Sequence, residues 1–378
     1  MSDLPLETDT LQTGAVKSGA LHADAMASGV MANSRRSVRT VTIKDVARAA
    51  GVSASTVSRA LSGKIPVDAQ TLQRVRRETK RLGYRPNFLA RSLKEGSSKT
   101  IGLIVPDITN PVFPAVALGA ETEAVRHGFQ VYLAHSHEDA EKEAMLANLL
   151  VQNGAAGILV ATACRGSASP ADWDMEQLPV CQLVRRQTNK HPCVCVDQFM
   201  VGRLAAERLL VIGCKRPAIL VGDQSLSLHR DRLNGFIATL AGAGILPDQI
   251  QVIDSSAPDE DGCSVTKKLL AAGGPPIDSI FAASDMQALG VMRTLYLEQV
   301  PVPVQIAVIG VDNMGISSVC TPAITCIRQP LQEIGRLACN RLIEAILSDK
   351  QMAGQAKSKD LLFEPVLLPS ELFIGETA

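Results

Sequence analysis

The chain has no apolar run near the roughly 18 to 20 residues that a membrane-spanning helix requires. Its N-terminus has no basic segment leading into an apolar one, so neither a membrane span nor a secretory signal is expected. Its nine cysteines include no C-x-x-C pair, and its six histidines are scattered rather than set at ligand spacing. Neither a zinc site nor a disulfide framework follows from that, and reduced thiols in a cytoplasmic protein are the expectation. There is no G-x-x-x-x-G-K-[ST] loop, no G-x-G-x-x-G after a strand, no G-x-S-x-G elbow and no H-E-x-x-H helix. The usual phosphate, dinucleotide, acyl-transfer and zinc-hydrolase signatures are therefore missing, and no enzyme, cofactor or metal is expected. His135 and His137 precede a run of acids, but a strand end entering an acidic helix N-terminus explains them more simply than a metal does.

The chain also lacks net charge, yet its charges are segregated. From Arg35 to Lys99 there are sixteen Lys and Arg against four Asp and Glu, so the rest of the chain is acidic. A small basic module on a larger acidic body points to a polyanionic partner for the module alone. At 378 residues, nearly half of them apolar, the chain has length for two or three domains. Residues 1–40, rich in Ala, Ser, Gly, Thr and Asp without periodicity, read as a disordered tail, with Met31 a second candidate start.

The basic module begins with Val41 to Leu61, VTIKDVARAAGVSASTVSRAL. Ile43, Val46, Ala47 and Ala50 recur at helical spacing, and Gly51 stops the helix. Val52 fills the angle, and Ser53 is an N-cap for a second helix, Ala54 to Leu61, with Val57 and Leu61 inward. Its outer face, Ala54, Ser55, Thr56, Ser58 and Arg59, is small or hydroxylated with one long cation, the makeup of a helix presented to a DNA major groove. A third helix follows from about Asp68 to Leu82, with Leu72, Val75, Thr79 and Leu82 inward, completing a head over 41–85. Residues 86–99 form a linker whose Leu89, Ala90 and Leu93 share a face; it is either a helical turn or a short helix that folds on binding.

From Thr100 apolar strands alternate with helices to the C-terminus. That grammar means parallel sheets wrapped by helices, and roughly 280 residues of it exceed one sheet, so two doubly wound lobes are expected. Lobe 1 is expected to span about 100–196 and 329–357, and lobe 2 about 197–328 and 358–378. Ligands of such sheets bind beyond the carboxyl ends of the strands, where the lobes face each other.

The motifs TIKDVARAAGVSASTVSRALSG, GYRPNFLARSL, TIGLIVPDITNPVF, VDQFMVGRLAAERLL, HRDRLNGF, FAASDMQALGVMRTL, VIGVDN and TPAITCIRQPLQEIG stand in one order. From Val41 to the C-terminus the chain resembles the lac/Gal repressor family of bacterial transcription regulators. The resemblance implies an all-α helix-turn-helix head, a hinge helix and a two-lobed α/β core like periplasmic sugar-binding proteins. It implies base-facing roles for Ala54, Ser55 and Arg59, phosphate contacts for Ser53, Thr56 and Ser58, and a minor-groove wedge at Leu93 with Ala90 beside it. Thr42 and Asn87 complete the implied DNA-contacting set.

In the core the resemblance implies an effector cleft lined by Asn110, Pro111, Phe113, Asp197, Arg232, Ser284, Asp312 and Gln329. Arg232 would grip a hydroxyl or carboxylate, and Asp312 would accept from sugar hydroxyls. Ser284, where the family usually has Asn, and Cys214, where it usually has His, leave the choice among sugar, sugar acid and sugar phosphate open. No leucine heptads follow LLPSEL, so a homodimer on a pseudo-palindromic double-stranded DNA operator is expected, associated with the nucleoid. The rival readings, a sugar-binding or sugar-modifying protein without regulatory DNA binding, leave the basic head without a purpose.

Overall fold

The computed structural model describes residues 41–62, 66–84, 99–162, 178–255, 262–272, 276–312, 315–351 and 364–378. The expected tail and the expected hinge helix, with Asn87, Ala90 and Leu93, lie outside the described residues. Two compact units divide near Pro86.

The first unit holds helices α1 (Ile43–Ala50), α2 (Ala54–Ser62) and α3 (Ala69–Leu82). Gly51 ends α1 in the left-handed conformation, φ 66° and ψ 36°, which only glycine adopts without a steric penalty. The Ser53 hydroxyl accepts from the Thr56 N–H at 3.1 Å and caps α2, and the Asp68 carboxylate accepts from Thr71 N–H at 3.0 Å and caps α3. Val46, Val57 and Val75 meet in a core closed by Val52, Leu61, Leu72 and Leu82. The interior face of α3 also carries Glu78, which is buried. Arg81 and Arg77 donate to it at 2.6 and 3.2 Å and hold its carboxyl below the usual range. Both guanidinium groups stay exposed and reach the buried carboxylate from the surface.

The second unit contains two six-stranded sheets. The first is built from β1 (Thr100–Val105), β2 (Gln130–His135), β3 (Gly157–Val160), β4 (Val180–Leu183) and β5 (Cys193–Val196), flanked by α4 (Val112–Arg126) and α5 (Ala140–Gln152). The chain then crosses into lobe 2 through α6 (Gln198–Val211), β6 (Pro217–Val221), α7 (Ser227–Gly242), β7 (Gln251–Asp254), α8 (Gly262–Ala271), β8 (Ser279–Ala282), α9 (Asp285–Leu297), β9 (Ala307–Asp312), α10 (Ile316–Val319) and β10 (Thr325–Arg328). It returns to lobe 1 as α11 (Leu331–Gln351) and ends in β11 (Val366–Leu368) and β12 (Glu371–Phe373). The strand orders are β11-β5-β4-β3-β1-β2 and β12-β10-β9-β8-β6-β7. Pairing is parallel throughout except for β12, antiparallel to β10, and the central strands are buried along their length, as helices on both faces require.

One expected boundary is corrected. Residues 358–378 do not all belong to lobe 2: β11 joins the first sheet, with Leu367 opposite Cys195, and only β12 joins the second. Pro369, which has no N–H to donate, stands between the two short strands where the chain changes sheets for the third time. Three helix pairs meet backbone to backbone at glycines among the described residues: Gly119 and Gly335 between α4 and α11, Gly202 and Gly235 between α6 and α7, and Gly262 and Gly290 between α8 and α9.

Candidate functional site

On the head, Ser53, Ser55 and Arg59 are exposed while Ala54, Thr56 and Ser58 are half-buried along α2. The Ser53 hydroxyl lies 2.8 Å from those of Ser55 and Thr56, and Arg59 Nη2 reaches Thr56 Oγ1 at 3.5 Å. Thr42 is exposed at the start of α1, where its N–H and hydroxyl donate to Asp45 at 2.9 and 2.7 Å. The α2 N-terminus is therefore rich in hydroxyls and carries one guanidinium a turn later, and such ends attract phosphate.

In the core, Arg232 of α7, Asp312 at the end of β9 and Gln329 just beyond β10 are brought together by a residue the sequence did not single out, Gln198, the first residue of α6. All four are buried, between 3% and 7% exposed. The Gln198 side-chain oxygen accepts from Arg232 Nε at 3.1 Å and from Nη2 at 2.5 Å, and Arg232 Nη1 donates to the Ala283 carbonyl. Gln198 Nε2 then donates to Gln329 Oε1 at 3.4 Å, and Gln329 Nε2 donates to the Asp312 carboxylate. Arg232, which can only donate, at one end and the Asp312 carboxyl accepting at the other fix the direction of both amides, since only this orientation gives each bonded donor an acceptor. Burial pushes Arg232 down to about 10, and pushes Asp312 up from its ordinary value against the opposing pull of Arg232 and Gln329. Gln198 and Gln329 stand at the first and second lobe crossovers, so the chain spans the hinge.

The lobe 1 side is framed by Arg185, which follows β4. It donates to both Glu138 oxygens at 2.8 and 2.9 Å and to the Thr162 carbonyl at 3.1 Å, with its guanidinium 5.6 Å from the Phe113 ring centre. Across from it, His229 of α7 lies under the field of Arg185 and Glu138. Burial, reinforced by Arg232 and Arg185, pushes its imidazole down to about 3, so it is neutral at pH 7. Its Nδ1 is buried without a partner. The lobes touch where the Ser227 hydroxyl donates to the Arg186 carbonyl at 3.1 Å.

The remaining expected cleft residues start helices. Asn110 Oδ1 accepts from Val112 N–H at 3.1 Å beside Pro111, Asp197 caps α6 through Met200 N–H at 3.1 Å, and Ser284 caps α9 through Gln287 N–H at 3.2 Å. Phe113 is buried beneath Arg185. Four non-glycine residues with left-handed backbone flank this region at strand ends: His137 (φ 60°), Glu138 (57°), Val184 (63°) and Asp312 (102°). Such conformations cost on the order of 1–3 kcal/mol each and collect at binding sites. Among the described residues no group of three or more His, Cys, Asp and Glu is arranged to hold a metal ion, and no helix is long and apolar enough to cross a membrane.

Comparison with known proteins places both units. Residues 42–87 match the model of bacterial regulatory proteins of the lacI family, and residues 98–367 match periplasmic binding proteins and the sugar binding domain of the LacI family. The ribose operon repressor of Bacillus subtilis is 35% identical over 83% of this chain and 94% of its own. A crystal structure of the lac repressor dimer bound to operator and an anti-inducer superposes with a TM-score of 0.73 at 25% identity, covering 90% of this chain and 99% of that one. A LacI family regulator from Enterococcus faecium with bound ribose gives a TM-score of 0.61 at 26% identity, covering 74% of this chain and 98% of that one.

Proposed function

The chain belongs to the LacI family, as a DNA-binding transcriptional repressor with a sugar-binding domain, and from that premise we propose that a sugar or sugar derivative held between the two core lobes sets its affinity for a pseudo-palindromic operator. The observation that carries this reading is the buried chain Arg232–Gln198–Gln329–Asp312, which puts a directional donor, a carboxylate and both crossovers into one hydrogen-bonded unit. A polyhydroxy ligand offers donors to Asp312 and acceptors to Arg232, and meeting both changes how the crossovers are tied. A ligand shifts the lobes only through a difference in affinity between their arrangements. A ribose-bound family member and a ribose operon repressor among the relatives favour a pentose.

In this reading Ala54, Ser55 and Arg59 face bases, while Thr42, Ser53, Thr56 and Ser58 hold phosphates. The protein acts as a homodimer in the cytoplasm. Tyr132 and Leu133 on edge strand β2, with Leu118 and Val125 on α4, expose apolar surface that a second copy would cover. Selection of operator from a random duplex pool by the full chain, followed by binding with and without D-ribose and related sugars, tests the reading. Enrichment of a two-fold symmetric sequence whose binding responds to a sugar is expected. An asymmetric site, or none, would remove the paired-head model.

A further inference from the structure

Resting on the cleft reading above, we propose that Gln198 sets the charge selectivity of the effector site: by occupying the Nε/Nη2 edge of Arg232 with a neutral oxygen, it withholds that edge from carboxylates and phosphates and restricts the site to uncharged polyols. The Nε/Nη2 edge carries two parallel N–H bonds, the geometry that grips a carboxylate or phosphate bidentately. Both of these nitrogens converge on Gln198 Oε1, and Nη1 is turned to Ala283 O. Three of five N–H bonds are thus taken, leaving one on each terminal nitrogen for single hydroxyl acceptors.

The charged side chains bonded at the site are already engaged. Arg232 faces Asp312, and Arg185 is engaged on both oxygens of Glu138. His229, beside Arg232 and Arg185, is neutral at pH 7. A ligand carboxylate would enter beside the Asp312 carboxyl, whose own burial is already costly, and desolvating it there is unfavourable. Gln198 cannot turn its oxygen away to release Arg232, because its amide nitrogen would then face the guanidinium while its oxygen met Gln329 Oε1. The selectivity is therefore built into the polarity of the chain.

Calorimetry of the full-length protein with D-ribose, D-ribonate and D-ribose 5-phosphate as probes tests this, using Gln198→Ala and Gln198→Glu beside the parent. The parent is expected to bind ribose at least about tenfold more tightly than either anion. Gln198→Ala opens the edge and shifts the ribose-to-anion ratio toward the anions by about tenfold. Gln198→Glu keeps an acceptor on Arg232 and adds a negative charge, so its ratio moves the opposite way; it also serves if the alanine variant fails to fold. A purely structural role would weaken all three probes alike in both variants, and that result overturns the proposal, as does a parent that prefers an anion. A parent that binds none of the three overturns the sugar reading of the cleft and the selectivity with it.

Discussion

Gly202 of α6 lies directly against the backbone of Arg232 on α7: a Cβ added at Gly202 would sit 1.9 Å from the Arg232 carbonyl oxygen. Gly235 makes the reciprocal approach to Phe199, where an added Cβ would sit 2.0 Å from the carbonyl oxygen. Because backbone cannot yield as a flexible side chain can, the separation of these helices fixes where the Arg232 guanidinium meets Gln198.

Gly202→Ala should therefore force α7 away from α6, destabilising the core by about 1–3 kcal/mol. It should also weaken sugar binding through displaced Arg232, although Gly202 touches no ligand. Denaturant unfolding and calorimetry on the same preparation check both, and an unchanged midpoint would mean that the helices move apart freely.

Arg59→Ala should cost about 1–3 kcal/mol of operator binding and relax preference at one base pair per half-site. Competition gel shifts against single-base operator variants measure it. Operator affinity of the parent should fall by orders of magnitude over a few-fold rise in salt, through loss of phosphate contacts. A specificity ratio unaffected by the substitution would remove Arg59 from the base-reading set.

His229 predicts an acid-side loss of stability. Its pKa is about 3 in the fold and near the ordinary 6.5 when unfolded. The unfolded chain then binds the extra proton first, so stability falls as pH drops from about 6.5 toward 3. Between pH 7 and 5 this amounts to at most about 2 kcal/mol. His229→Gln removes the titration, and its melting temperature should decline less over that interval; parallel declines would mean that other groups carry the acid sensitivity. Glu138, Asp223, Arg185 and Arg232 set the field at this imidazole, and replacing Arg185 should raise its pKa.

Most of the architecture was legible because local signals decided it. Gly51, Ser53 and Asp68 mark helix ends by chemistry confined to a few residues, and buried parallel strands are apolar along their whole length. What escaped are relations between distant positions. Gln198 follows a helix-capping Asp197 and reads as an ordinary first-turn residue; its partner Gln329 is 131 positions away. Glu138 and Arg185, 47 positions apart, meet only once β2 and β4 share a sheet. Glu78 was not among the inward positions expected on its helix, Leu72, Val75, Thr79 and Leu82, because only packing reveals which turn faces α1 and α2. β11 was assigned to the wrong lobe because a three-residue apolar strand carries no mark of which sheet edge it will extend.

The central claim is that a sugar held through Arg232 controls the head. Fluorescence anisotropy of labelled operator, titrated with the sugar that most raises the parent's melting temperature, tests it directly in the parent and in Arg232→Ala. Losing Arg232 leaves ligand hydroxyls unpaired in a desolvated cleft at a cost of about 1–3 kcal/mol. The midpoint of the sugar response should thus move upward by roughly one to two decades. A variant whose operator binding responds at the parent's sugar concentration would contradict the account.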